Sequence, residues 1–253
     1  MSNEANKLSA LGHIGELRKR LIRSVIVVAI TVIFSFVFYP QIFDILLVPA
    51  PQDISLQAIK MTEMLGTTMR VALISGIILA MPYLTYELIM FVSPALTRRE
   101  KKYVYLILPW IALMFAAGVA FAYFIIIPRI TGFLIGWGSD IVSIQPMFSD
   151  YINIVTRLLL VVGLVFEMPV VTTFLARIGV IKPNWLADRR KPAIVIAFIL
   201  AAIITPTIDP INQSLIAIPL VALYEMSIWL AKLVYKRKRA ADETAETPVS
   251  IFR

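Results

Sequence analysis

The sequence contains no cysteine and a single histidine, His13. Disulfides and thiolate metal sites are therefore excluded, and one imidazole builds neither a histidine metal cluster nor a catalytic triad. Charge is scarce as well: Asp, Glu, Lys and Arg make up only 16% of the chain, against about 25% in a soluble domain. No glycine-rich phosphate loop, HExxH pair or protease-like serine or aspartate arrangement is found. The pattern predicts a non-enzyme with no cofactor and no metal, drawing any energy for transport from gradients or partners. Nucleic acid is not indicated, because the net charge of +8 is accounted for by a few loops. Internal repeats are also missing, which argues against an inverted-repeat transporter.

What fills the chain instead is apolar residue. These amount to 59% of it, with a mean hydropathy of +0.84, the balance of a polytopic helical membrane protein. The expected class is all-α, a single integral-membrane domain over residues 1–239 with a disordered polar tail at 240–253. Six apolar segments are read at about residues 22–38, 71–92, 104–127, 154–177, 193–205 and 211–234. The fifth is bracketed by Pro192 and Pro206 and is too short for a bilayer about 30 Å thick. It is expected to form a short hairpin with the sixth, where the membrane is locally thinned.

Orientation follows from the basic residues. All but four of the 24 Lys and Arg lie in the N-terminal stretch, the 97–102 and 177–191 loops and the tail. The four on the other side are Lys60, Arg70, Arg129 and Arg157. The positive-inside rule then predicts cytoplasmic N and C termini. No small-x-small cleavage site follows the first apolar run, so the polar lead reads as an uncleaved amphipathic helix at 8–21. Leu8, Leu11, Ile14, Leu17 and Leu21 share its apolar face, whereas Glu16, Arg18, Lys19 and Arg20 fall mostly off it. Its basic residues suit anionic lipid. The two long outer loops are expected to roof one side of a concave bundle, and Ser149 and Asp150 stand where they would cap the fourth helix.

Two acids stand out. Glu167 sits at the centre of an otherwise uncharged run, residues 158–176. A charged side chain at that depth costs about 2.5–3.5 kcal/mol on insertion scales. Gly163, one turn earlier, leaves a notch, and Pro169 frees the carbonyl of Val165. Together these describe a polar recess that favours the neutral acid. The alternatives are a functional carboxyl, as in an ion- or proton-coupled small-molecule transporter, and interhelical glue. Glu100 follows Phe91-Val-Ser-Pro94-Ala-Leu96, where Pro94 closes one helix and Thr97 with Glu100 can form a capping box. Capping explains Glu100; so does reception of a cationic, partly apolar peptide against Phe91 and Leu96. A scaffold that gathers single-span helices would leave both acids structural.

Taken in order along the chain, the motifs resemble the TatC family, the multi-span subunit of the twin-arginine protein translocase. They are His13-x-x-Glu16-Leu17-Arg18-x-Arg20-Leu21, Phe91-x-x-Pro94-Ala-Leu96 leading to Glu100, and Phe121-Ala-Tyr-Phe124. Next come Phe166-Glu167-x-Pro169, Arg189-Arg190-Lys191-Pro192, Thr205-Pro206 with Asp209 and Gln213, and Ile218-Pro219. Ile208 stands where the family pattern expects a proline before the aspartate. The resemblance implies a glove-like receptor in the bacterial inner membrane, exporting folded precursors with twin-arginine signal peptides on the protonmotive force. It implies a signal-peptide site at Glu100, with Glu16, Arg18, Phe91, Leu96 and Lys102. Glu167 becomes the polar residue of the concave face, and Thr205, Asp209 and Gln213 the docking region for the single-span partners TatA and TatB. Pro49 becomes a structural proline, and self-association is expected.

Overall fold

A computed structural model of the chain describes residues 2–50, 56–92, 98–137, 145–205 and 209–246, with side chains over 15–50, 56–91, 107–137, 145–205 and 209–235. The helices are α1 (Ser2–Val37), α2 (Tyr39–Leu47), α3 (Glu63–Val92), α4 (Arg98–Phe121), α5 (Ile127–Gly136), α6 (Phe148–Phe166), α7 (Met168–Ile178), α8 (Pro183–Asp188), α9 (Arg190–Ile204) and α10 (Pro210–Glu246). A π-helical turn, Ala122–Ile126, joins α4 to α5. No strand occurs among the described residues.

Five helical stretches are long and apolar enough to cross a membrane: Gly15–Val37, Glu63–Phe91, Ile107–Gly136, Phe148–Ile178 and Pro210–Tyr235. Each begins earlier or ends later than hydropathy alone delimits, because helix continues through residues too polar to score. The remaining apolar helix, α9, has 15 residues, two more than its proline brackets suggest, since Arg190 and Lys191 form its first turn. At 1.5 Å per residue it is about 22 Å long, still short of a full bilayer core. The amphipathic segment and first span are one continuous helix, and α10 runs on to Glu246. Residues 247–253 lie outside the described residues.

The chain divides into two compact units, Met1–Leu164 and Val165–Arg253. In the first, α1 and α3 pack most closely. A Cβ on Gly76 would stand 2.6 Å from Cα of Val32, so the helix backbones approach as only a small residue allows. Residues between the first and third helices, expected as loop, include α2. Its last carbonyls, orphaned as at any helix end, are met from elsewhere: Tyr123 Oη donates to Ile45 O at 2.7 Å and Tyr151 Oη to Leu46 O at 3.1 Å. Pro49 lies in the turn that ends this helix, where Ala50 N donates to Leu47 O.

The two long loops join each other. Gln57 N donates to Pro146 O at 3.3 Å, and Phe148 N donates to Gln57 O at 3.0 Å. Glu63 pins the junction: Oε2 accepts from the backbone N–H of Ile59 (2.8 Å) and Lys60 (3.2 Å), and Oε1 accepts from Ser149 N at 3.0 Å. The start of α6 at Phe148 is thus capped from another helix rather than by Ser149 or Asp150. A carboxylate offers about four acceptor sites where a hydroxyl offers two, and Glu63 uses them on three backbone donors.

In the second unit a short core of Ala176, Leu186, Ile228 and Ala231 joins α7, α8 and α10. Tyr224 Oη donates to Leu186 O at 2.8 Å. Gly179, at φ +87°, closes α7 in the left-handed conformation that glycine adopts without strain.

Candidate functional site

The sequence predicts a peptide site around Phe91, at one end of α3 and alongside α1. A cavity of about 190 Å³ lies there, lined by Leu17, Arg20, Leu21, Leu84, Glu87, Leu88 and Phe91 with Ser24. Its walls are apolar and its floor is ionic. Arg20 Nη1 donates to Glu87 Oε2 at 2.7 Å, while its Nε and Nη2 donate to Glu16 Oε1 at 3.2 and 2.5 Å. Tyr83 Oη donates to the other oxygen of Glu87 at 2.7 Å. Side-chain exposure falls from 40% at Glu16 to 14% at Arg20 and 6% at Glu87, so the network runs from rim to interior.

Phe91 therefore lines this groove, and Glu16 is tied to it through Arg20 without lining it. Arg18 is exposed and does not line it. Leu96 and Pro94 lie outside the described residues, as do the side chains of Glu100 and Lys102, although α4 does begin at Arg98. Two members were missed. Arg20 was placed off the apolar face as a lipid anchor, yet it turns inward, while Leu17 and Leu21 are 44% and 61% exposed. Lipid accepts leucine, and a guanidinium there needs carboxylates, so the faces exchange roles. Glu87 had a readable signal: Tyr83, Glu87 and Phe91 recur every four residues and share one helix face.

Glu167 is 2% exposed, and neither carboxylate oxygen has a hydrogen-bond partner among the described residues. It stands in the turn between α6 and α7, where its carbonyl accepts from Val170 N and Val171 N. Pro169, at the start of α7, explains the break. The notch expected at Gly163 is not open to it. A Cβ there would meet the ring of Phe115 at 2.8 Å and Val119 at 3.1 Å, so the glycine serves close packing against α4 instead.

In the α9–α10 hairpin, Asp209 caps α10. Its Oδ1 accepts from Asn212 N at 2.8 Å and its Oδ2 from Asn212 Nδ2 at 3.0 Å. Gln213 Nε2 donates to Phe198 O at 2.9 Å, tying the two helices. Thr205 is turned inward, its hydroxyl donating to Ala201 O. What the hairpin presents outward is apolar: Val195, Ile196, Ile199 and Ile203 are each more than half exposed. Arg190 pairs with Glu225 at 2.8 Å, and Arg189 lies 4.9 Å above the Trp185 ring. Among the described residues no cluster of His, Asp and Glu is arranged to hold a metal ion.

Comparison with known proteins agrees with this architecture. The model of the family described as Sec-independent protein translocase protein (TatC) matches residues 12–219. The TatC protein of Desulforapulum autotrophicum is 40% identical over 250 residues, covering 97% of this chain and 92% of that protein. TatCy of Bacillus subtilis is 34% identical over 251 residues, covering 98% and 97%. A crystal structure of the twin-arginine translocase receptor TatC superposes with a TM-score of 0.78 at 38% identity, over 88% of this chain and 99% of that one. With its membrane-spanning helices and this continuous match, the chain is a multi-pass member of the TatC family of Sec-independent protein translocase proteins.

Proposed function

We propose that this chain is the signal-peptide receptor and core subunit of a twin-arginine translocase in the cytoplasmic membrane, with both termini cytoplasmic. The observation that carries the reading is the acid-floored, apolar-walled groove beside Phe91. Arginine needs carboxylates in a fixed fork, and the apolar part of a signal needs a dry wall. Glu87 and Phe91 supply one of each within the groove, with Glu16 beside it on Arg20. Glu100 receives the arginine pair from the start of α4, with Arg18, Leu96 and Lys102 around it. TatA- and TatB-type single-span helices dock on the exposed apolar face of the hairpin, near Gln213 and Asp209, and Thr205 holds that turn from inside. Anionic lipid meets the basic loops, copies of the chain associate, and the protonmotive force supplies the energy.

Glu167 fits a membrane recess better than a coupling site. A proton-coupled transporter needs a polar relay at its carboxyl, and among the described residues neither oxygen has a partner. The decisive experiment is photo-crosslinking from position 100 to a precursor carrying twin arginine or twin lysine. The expected result is a crosslink to the arginine form alone, lost in Glu100→Gln with the fold retained. Equal crosslinking of both forms, or an undiminished signal in the variant, would overturn the assignment.

A further inference from the structure

Two exposed arginines, Arg70 and Arg157, stand inside the crossing stretches Glu63–Phe91 and Phe148–Ile178. The two helices start level, because Ser149 N is bonded to Glu63 Oε1. A stretch of 29 residues is about 43 Å long and overhangs a hydrocarbon core of about 30 Å at both ends. Centred there, α3 holds the Cα of Arg70 about 4 Å inside the apolar layer, and Arg157 stands at a similar depth on the neighbouring helix. A bare guanidinium at that depth is costly and is drawn towards the headgroups.

Arg70 shows the direction of that draw. Its Nη1 donates to Oδ1 of Asn153, four residues beyond Ser149 and so nearer the membrane surface than Arg70 itself. A guanidinium only donates, so the Asn153 amide turns its oxygen to Arg70 and keeps Nδ2 as an unused donor. Arg157 lies one turn further along α6. Helical side chains lean towards the N-terminus, which carries Arg157 over Asn153 as well. Donors thus gather from two helices without an anion to receive them. Among the described residues no ion pair engages either arginine. Glu63 spends both oxygens on backbone N–H groups, and Asp150, the only acid of α6, pairs with neither.

We propose that Arg70, Asn153 and Arg157 form one binding site for the phosphate group of a membrane phospholipid, in the leaflet opposite the Phe91 groove. A phosphate diester brings the acceptor oxygens and the negative charge that this donor set lacks. Its acyl chains continue down the helix surface at Leu73, one turn deeper than Arg70 and 52% exposed. A free phosphate offers the same oxygens without the chains. The proposal draws on no residue of the groove and stands apart from the receptor reading.

Native mass spectrometry of the full chain in detergent, titrated with phosphatidylglycerol, tests it. Arg157→Gln breaks no bond within the protein and is expected to leave the melting temperature unchanged. It is expected to weaken the tightest-bound lipid about tenfold, the size of one charge-assisted hydrogen bond. Arg70→Gln is expected to weaken the same lipid, and the double variant to lose no second one. Diacylglycerol, which lacks the phosphate, should not occupy the site, and millimolar inorganic phosphate should not displace the phospholipid. Undiminished binding in Arg157→Gln, or diacylglycerol bound as tightly as phosphatidylglycerol, overturns the proposal. Displacement by inorganic phosphate overturns the lipid as ligand, and loss of a second lipid in the double variant overturns the shared site.

Discussion

Two buried glutamates show how differently one side chain serves a membrane protein. Glu63 is 8% exposed and accepts three backbone N–H groups that stitch two loops and two helices. Glu167 is 2% exposed and has no hydrogen-bond partner among the described residues. In the first, burial has been converted into architecture, because backbone donors strong enough to hold a carboxylate converge on it. The second stands in a helix break with its polar capacity unspent. Selection for stability accounts for Glu63 and gives no reason for Glu167, which is the stronger sign of function.

The comparison breaks most sharply at Glu63. Glu63→Ala strands three N–H groups at once and is expected to lower the melting temperature in detergent by at least about 5 °C. Limited proteolysis within residues 56–62 should accelerate in parallel, whereas Glu63→Gln, which keeps an acceptor oxygen, should lose less. An unaltered melt for the alanine variant would mean that the clamp is decorative.

Glu167→Leu is expected to act in the opposite direction. Replacing an unpartnered buried acid with leucine should raise stability by about 1 kcal/mol while lowering precursor export. A destabilised leucine variant would show that the carboxyl is bonded after all, and the two acids would then be alike.

The smallest effect is expected at Ser35, whose Oγ is the other buried side-chain atom without a partner among the described residues. Ser35→Ala removes that atom, and thermal melts should place it within about 0.5 kcal/mol of the parent. A large loss would show that a partner for the hydroxyl had been overlooked.

Hydropathy made most of the architecture readable, since a bilayer imposes length and polarity on every crossing segment. The short α9 was legible from Pro192 and Pro206, and Glu167 from its isolation among apolar residues. The clamp at Glu63 was not, because its partners are backbone groups of residues 59, 60 and 149, and backbone donors carry no sequence signature. The groove was half legible. Glu16 and Phe91 belong to a recognised motif, but the inward turn of Arg20 depends on Glu87, 67 residues away. Gly163 misled for a similar reason: the notch it leaves is real, but its occupant, Phe115, comes from another helix.

The turn at Ala122–Ile126 acts as a frameshift in the third crossing helix. Ile127 N reaches back five residues to Ala122 O, so one residue more than an α-turn holds is accommodated, just ahead of Pro128. Before it, buried positions follow a single line through Ile111, Phe115, Gly118 and Ala122; beyond it they double, to Ile126 with Ile127 and Ile130 with Thr131. One helix thus presents a narrow seam along its first half and a broad one along its second. Deleting a single residue from within the turn would therefore leave plain α-helix with Ile127 and Thr131 still on the seam, whereas straightening the turn to α geometry with all its residues would rotate Ile130 and Thr131 about 100°.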